Sequence, residues 1–199
     1  MSDLQCPARV FVVRDAEAAY DTAEVISDGG GRLTERGREQ AAVLGARMRE
    51  ERIAHVYTSP MSRAVETGEI LSQALGVTVT TLPGVQEFWV GQLAGADFER
   101  HRVIYERWLA GDLDARMPGA ESGHELVARM THALDYVSQL HRGEGVIVVS
   151  HGGVLSLTIP RIAVGSGVPL DTPPTVPHCG VLRLEVDGDG WRFSAPWPR

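Results

Sequence analysis

The chain has 199 residues, 43% of them apolar, and a formal charge of −7 at pH 7, which suits one domain of the usual size, about 100 to 200 residues, with a sizeable core. That acidic balance offers no general attraction to nucleic acid or anionic membranes, so neither is expected as a partner and phosphate binding needs a local cluster. All 19 Lys-or-Arg positions are arginine and asparagine is absent; this excludes a lysine-based phosphate loop, Schiff-base or pyridoxal chemistry and N-glycosylation, and leaves arginine as the bidentate anion ligand.

No run approaches the roughly 18 apolar residues of a membrane span, and the N-terminus lacks a basic stretch followed by an apolar one, so a cytoplasmic location is expected. Cys6 and Cys179 form neither a disulfide framework nor a CxxC pair, and no metal or other cofactor is inferred from them. With no repeat, low-complexity tract or domain boundary, residues 1–199 read as one domain.

Val10-Phe11-Val12-Val13 is a short, Val-rich apolar run that ends abruptly in Arg14, Asp15, Ala16 and Glu17. It predicts a parallel strand buried on both faces, with Arg14 and Asp15 at its carboxyl end, where ligands of open α/β sheets sit; a solvated strand end is the alternative. Ser27 to Arg32 reads as a glycine-rich connection without the spacing of a nucleotide fingerprint. A helix is predicted from Leu33 through Glu50, capped by Thr34, with Ala42, Leu44, Ala46 and Met48 among its apolar positions. Ile53 to Thr58 is a second strand. Ser59-Pro60 predicts a capping hydroxyl with proline at the first helical position, so Arg63 falls in the first turn of a helix that runs to Leu75 and stops at Gly76. If the strands at 10–13 and 53–58 are neighbours, Arg63 lies beside the end of the first.

Val77 to Thr81 is a third strand. Glu87 follows among apolar and aromatic neighbours, surroundings in which a carboxyl keeps the proton a general acid needs; an ordinary loop carboxylate is the alternative. Asp97 to Ala110 predicts a helix carrying Tyr105 and Trp108. These two, with Phe88 and Trp89, either pack in the core or line a pocket mouth. Gly111 to Ala120 is a loop, and Ser122-Gly123-His124-Glu125 is a capping box before a helix to Leu140. A zinc-protease reading of His124-Glu125 fails because Ala128 stands where a second histidine is needed. Gly145 to Ser150 is another buried strand, and His151-Gly152-Gly153 after it places an imidazole as Arg14 is placed. Pro160 should kink or shorten the helix that follows. Val168 to Pro177 is an extended loop, His178 to Asp187 an edge strand, and Gly188-Asp189-Gly190 a hairpin into Trp191-Arg192-Phe193.

Two arginines, a histidine and a glutamate thus project from one sheet edge, a set suited to a phosphoryl group. Val12-Val13-Arg14-x-Ala16-Glu17, Leu33-Thr34-x-x-Gly37-x-x-Gln40-Ala41 and Tyr57-Thr58-Ser59-Pro60-x-x-Arg63-Ala64-x-x-Thr67 occur in that order, followed by Gly119-Ala120-Glu121-Ser122 and Val148-Val149-Ser150-His151-Gly152-Gly153. On these segments nearly the whole chain resembles the histidine phosphatase superfamily. The resemblance implies an α/β three-layer sandwich of the phosphoglycerate-mutase-like type, with a central, mostly parallel sheet flanked by helices. It implies a metal-independent phosphatase acting on a small phosphorylated substrate, with Arg14, Arg63 and His151 as phosphate ligands and Glu87 as proton donor.

The pattern departs at the nucleophile. The family uses the histidine directly after the first arginine, and here that residue is Asp15. The polar amide usual a few residues further on is unfilled or replaced by Asp21. A carboxylate about 4 Å from a phosphate dianion meets repulsion of about 4 kcal/mol per charge at an effective dielectric near 20. Aspartyl-phosphate chemistry elsewhere enlists a metal and usually a lysine. Asp15 is therefore expected to pair with Arg14, Arg63 or His151 and to occupy the phosphate pocket, leaving the chain inactive or severely impaired. A non-catalytic phosphate-ester binder and an aspartyl-phosphate enzyme are the other readings. Phosphatase is preferred to mutase because Phe88 stands where mutases place an arginine after the glutamate and the 91–120 segment offers no basic cluster. Substrate and oligomeric state are not written in the sequence.

Overall fold

The computed structural model describes residues 6–19, 31–94, 98–187 and 189–197. β1 (Ala8–Arg14) is followed by a two-residue strand pair, β2 (Ala18–Ala19) and β3 (Arg32–Leu33), and by α1 (Glu35–Met48), which ends in a short 3-10 turn. Next come β4 (Ile53–Thr58), α2 (Ser62–Leu75), β5 (Val79–Thr81) and α3 (Phe98–Leu109). The chain continues through α4 (Gly123–Leu140), β6 (Gly145–Ser150), α5 (Gly152–Ile162), β7 (Val181–Asp187) and β8 (Gly190–Phe193). The main sheet has the order β5-β4-β6-β1-β7-β8. Its first four strands are parallel, and the β7–β8 hairpin closes one side antiparallel.

Side-chain alternation explains the three layers. Val10 and Val12 of β1 and Val146 and Val148 of β6 pack with Leu126, Met130 and Leu134 of α4, with Leu155 of α5 and with Trp108 of α3. Phe11, Val13, Ile147 and Val149 point the other way, onto Leu44 and Met48 of α1 and Ala64 and Leu71 of α2. The inner strands therefore need apolar residues at every position, which is why β6 is buried throughout. The fold is an α/β sandwich with a mostly parallel central sheet between two helical layers.

Several local expectations hold. Thr34 accepts from the Gly37 N–H and caps α1, Gly76 ends α2 in a left-handed conformation, and Ser122 and Glu125 form a complete capping box. Pro160 lies within α5, which stops two residues later. Others do not hold. In α1 the buried stripe is Ala41, Leu44, Gly45 and Met48, with Ala42 and Ala46 exposed. The strand expected at 77–81 pairs only from Val79, and the one expected from His178 begins at Val181 because residues 177–180 form a turn. β1 and β4 are not neighbours, since β6 lies between them. Ser27 to Gly30, Asp21 and Gly188 lie outside the described residues.

The same register that separates β1 from β4 brings their ends together. Arg14 pairs with Ser150 and Thr58 with Val149. The ladder extends one step further through Asp15 N–H to Ser150 O at 2.8 Å and Ser59 N–H to Val149 O at 2.9 Å. Asp15, Ser59 and His151 thereby share one edge of the sheet.

The capping box makes a direct stability test. Ser122→Ala removes the acceptor of the Glu125 N–H, and a loss of about 1 kcal/mol in denaturant unfolding is expected; an unchanged midpoint would show that the cap contributes nothing.

Candidate active site

Asp15 sits at the centre of the sheet edge and is 4% exposed. Its Oδ2 accepts from Arg63 Nε at 2.5 Å and from His151 Nδ1 at 3.1 Å. Arg63 comes from the first turn of α2 and His151 from the residue before α5, so three separate elements converge on one carboxylate oxygen. Burial pushes the Asp15 carboxyl up, but the hydrogen bond and charge of His151, then the charges of Arg63 and Arg14, outweigh it and hold the group below its ordinary 3.8. Of the three partners the sequence offered, Arg63 and His151 bind Asp15. Arg14 turns away: its Nη1 donates to Val176 O at 2.7 Å and its Nη2 faces His178 Nε2 at 3.4 Å.

His151 is buried and engaged at both nitrogens, Nε2 lying 2.7 Å from Ser59 Oγ. This corrects the reading of Ser59 as a helix cap. α2 starts at Ser62, Met61 precedes it without a side-chain cap bond, and Ser59 Oγ accepts from Met61 N–H at 3.2 Å while it meets His151. The two glycines after His151 are required by close approach. A Cβ at Gly152 would stand 2.9 Å from Arg14 Nε, and one at Gly153 would stand 2.7 Å from the Phe88 ring and 3.0 Å from Glu87 Oε1.

Glu87 is held by backbone donors at the start of α5, not by the apolar packing expected of it. Its carboxyl accepts from Gly153 N–H at 3.0 Å and Val154 N–H at 2.7 Å, with Phe88 N–H at 3.1 Å. Free N–H groups and the helix dipole make such a terminus an anchor for a carboxylate. The segment carrying Glu87 is fixed by a residue sequence reading missed. Arg129 of α4 donates to the carbonyls of Gly84, Gln86 and Glu87 and to both oxygens of Glu121, whose Oε1 also takes the Trp89 N–H. An arginine in mid-helix carries no local signal of that role, although Glu121 stood in a recognised segment.

Arg14, Asp15, Arg63, Glu87 and His151 all line one cavity of about 190 Å³, with Ala16, Ala18, Gly152, Gly153 and His178. The structure thus brings together all five residues singled out from the sequence and adds His178, which had been read only as the start of a strand. The aromatic residues lie outside the lining. Trp108 is fully buried, Trp89 is half exposed, and Phe88 stacks on Tyr105, whose hydroxyl donates to Gly153 O at 2.9 Å. Burial and the Glu87 charge push the Tyr105 phenol up, so it remains a donor. Among the described residues no group of three or more His, Cys, Asp or Glu side chains is arranged to hold a metal ion, and no helix is long and apolar enough to cross a membrane.

The family profile of the histidine phosphatase superfamily (branch 1) matches residues 10–196. A protein of Erwinia tasmaniensis named "Probable phosphoglycerate mutase GpmB" is 29% identical over 193 residues, 94% of this chain and 88% of that protein. Among solved structures, YhfR of Bacillus stearothermophilus is similar with a TM-score of 0.80 at 26% identity, over 94% of this chain and 96% of that one. A mycobacterial glucosyl-3-phosphoglycerate phosphatase gives 0.78 at 17% identity over 97% and 100%, a likeness of fold alone.

Two outcomes follow from the contacts. Asp15→Asn removes the buried carboxylate charge that Arg63 and His151 share and is expected to cost about 3 kcal/mol at neutral pH. Because the folded-state carboxyl is held below its ordinary 3.8, that contribution is complete above about pH 5 and is lost as pH falls through the folded value; urea unfolding of both proteins from pH 7 down to pH 3 should show the gap closing. Arg129→Met leaves the Glu121 carboxylate and three carbonyls without their donor, and a loss of about 3 kcal/mol is expected in the same measurement.

Proposed function

This chain belongs to the histidine phosphatase superfamily, and we propose that its cleft is a metal-independent phosphomonoesterase site whose nucleophile position is blocked by Asp15. In this reading Arg14, Arg63 and His151 are the groups that hold the oxygens of a small phosphorylated substrate, and Glu87 protonates the leaving oxygen. One observation carries the reading: the buried Asp15 carboxylate already occupies Arg63 and His151 at 2.5 and 3.1 Å. A phosphate dianion entering there must displace it or bear its repulsion, about 4 kcal/mol per charge at 4 Å. An aspartyl-phosphate route normally enlists a metal ion and a lysine, and the chain has no lysine.

Phosphatase is favoured over mutase by the fate of the basic residues beyond Glu87. Arg102, Arg107 and Arg116 are engaged by Glu106, Asp112 and Glu125, and none lines the cavity, so a second anionic group of a phosphoglycerate finds no ligand among them. A non-catalytic binder of phosphate esters is the second reading, favoured by the lack of a histidine at residue 15 while Arg14, Arg63 and His151 all line the cavity.

Hydrolysis of an aryl phosphate without added metal separates these readings. Asp15→His is expected to exceed the parent by about 10⁴-fold, the scale of nucleophile loss in other hydrolases. Equal rates would contradict the proposal, and saturable phosphate-ester binding by two inert proteins would favour the binder.

A further inference from the structure

His178 lines the cleft and is exposed, and the roles proposed for Arg14, Arg63, Glu87 and His151 leave it unassigned. Its tautomer follows from its partners. Nδ1 lies 3.2 Å from the Asp15 carbonyl oxygen, which can only accept, so Nδ1 carries the hydrogen. Nε2 faces Arg14 Nη2 at 3.4 Å, and a guanidinium can only donate, so Nε2 presents its lone pair. His151 offers no such atom, since it is buried, its Nδ1 donates to Asp15 and its Nε2 is covered by Ser59.

The turn that carries His178 is fastened to the end of β1 at three points. Arg14 Nη1 donates to Val176 O, Cys179 N–H to Arg14 O at 3.1 Å, and Arg14 N–H to Gly180 O at 3.1 Å. Gly180 N–H closes the turn onto Pro177 O at 2.8 Å, and this geometry holds Cys179, which is not a glycine, at a φ of 56°. A left-handed residue with a side chain is a strained conformation of the kind that persists where surroundings impose it. Here it aims an imidazole lone pair at the guanidinium that faces the cleft.

We infer that His178, through Nε2, is the phosphoryl acceptor of this cleft, serving the reaction in which residue 15 cannot act. The inference rests on the phosphatase reading above. An ester oxygen that takes Arg14 Nη2 displaces the long contact with His178 and brings phosphorus to the lone pair. Nε2 then bonds to phosphorus as the P–O bond to the alcohol breaks, and the leaving oxygen takes a proton that solvent supplies by way of Glu87. Water next attacks phosphorus, gives its proton to Glu87, and the P–N bond breaks to return the electron pair to Nε2 and release inorganic phosphate. Residual turnover passes through His178.

The test is to incubate the parent, His178→Asn and Asp15→His with an aryl phosphate, quench one portion in alkali, which preserves phosphohistidine, and another in cold acid, which preserves an aspartyl phosphate, and locate the phosphoryl group by peptide mass spectrometry. Asparagine can keep a donor at the position of Nδ1 while it removes the outer part of the ring that carries Nε2. The expected result is an acid-labile phosphoryl group on His178 of the parent, absent from His178→Asn, whose residual turnover falls at least about tenfold. A hydroxylamine-sensitive label on Asp15 would overturn the inference. So would an unlabelled parent beside an Asp15→His protein labelled at residue 15, an outcome that leaves the phosphatase reading intact. Failure to label any of the three would overturn both.

Discussion

The buried carboxylate of Asp15, shared by Arg63 and His151, is the interaction on which the cleft depends. All three side chains are nearly inaccessible, at 4%, 5% and 1% exposure. Charges so placed are tolerable only when paired and hydrogen-bonded, because desolvation of each costs several kcal/mol. In the proposed reading Asp15 supplies from within the chain a negative group where a phosphoryl group would otherwise be held. The cleft is therefore internally neutralised at its centre, while Arg14 and His178 remain in contact with each other at its rim.

The fold makes that convergence possible. Parallel strands present their carboxyl ends on one side, and the β4-β6-β1 order sets three such ends next to each other. Helices then begin where the strands stop. α5 lends its first N–H groups to Glu87, and α2 places Arg63 in its first turn. Across the cleft, Arg129 and Glu121 tie down the segment that bears Glu87, and the turn at 176–180 grips Arg14. Chemistry-bearing residues are thus positioned from two helices, three strand ends and two loops, each fastened to another by hydrogen bonds.

Much of this was legible in the sequence where the cause is local. Val-rich runs gave the inner strands because burial on both faces demands apolar residues throughout, and Thr34, Gly76 and the Ser122–Glu125 box marked helix ends through capping chemistry. Arg14, Asp15 and His151 were legible because strand ends are where ligands sit, and Arg63 because it follows a helix-start signal. What was hidden depends on contacts across the chain. Ser59 carried a true capping signal, yet an imidazole 92 residues away claims its hydroxyl. Glu87 sits among apolar residues in sequence and among backbone donors in space. Arg129 and His178 reveal their partners only once α4 and the 176–180 turn are folded against the sheet.

The central claim, that Asp15 competes with a phosphoryl group for Arg63 and His151, is tested most directly by calorimetric titration of the parent and of Asp15→Ala with inorganic phosphate. Removal of the carboxylate should tighten binding at least about 100-fold, since it deletes the repulsion and releases the contacts that Arg63 and His151 make with Asp15. Equal affinity in the two proteins would mean that Asp15 does not stand where phosphate binds, and the account would fall.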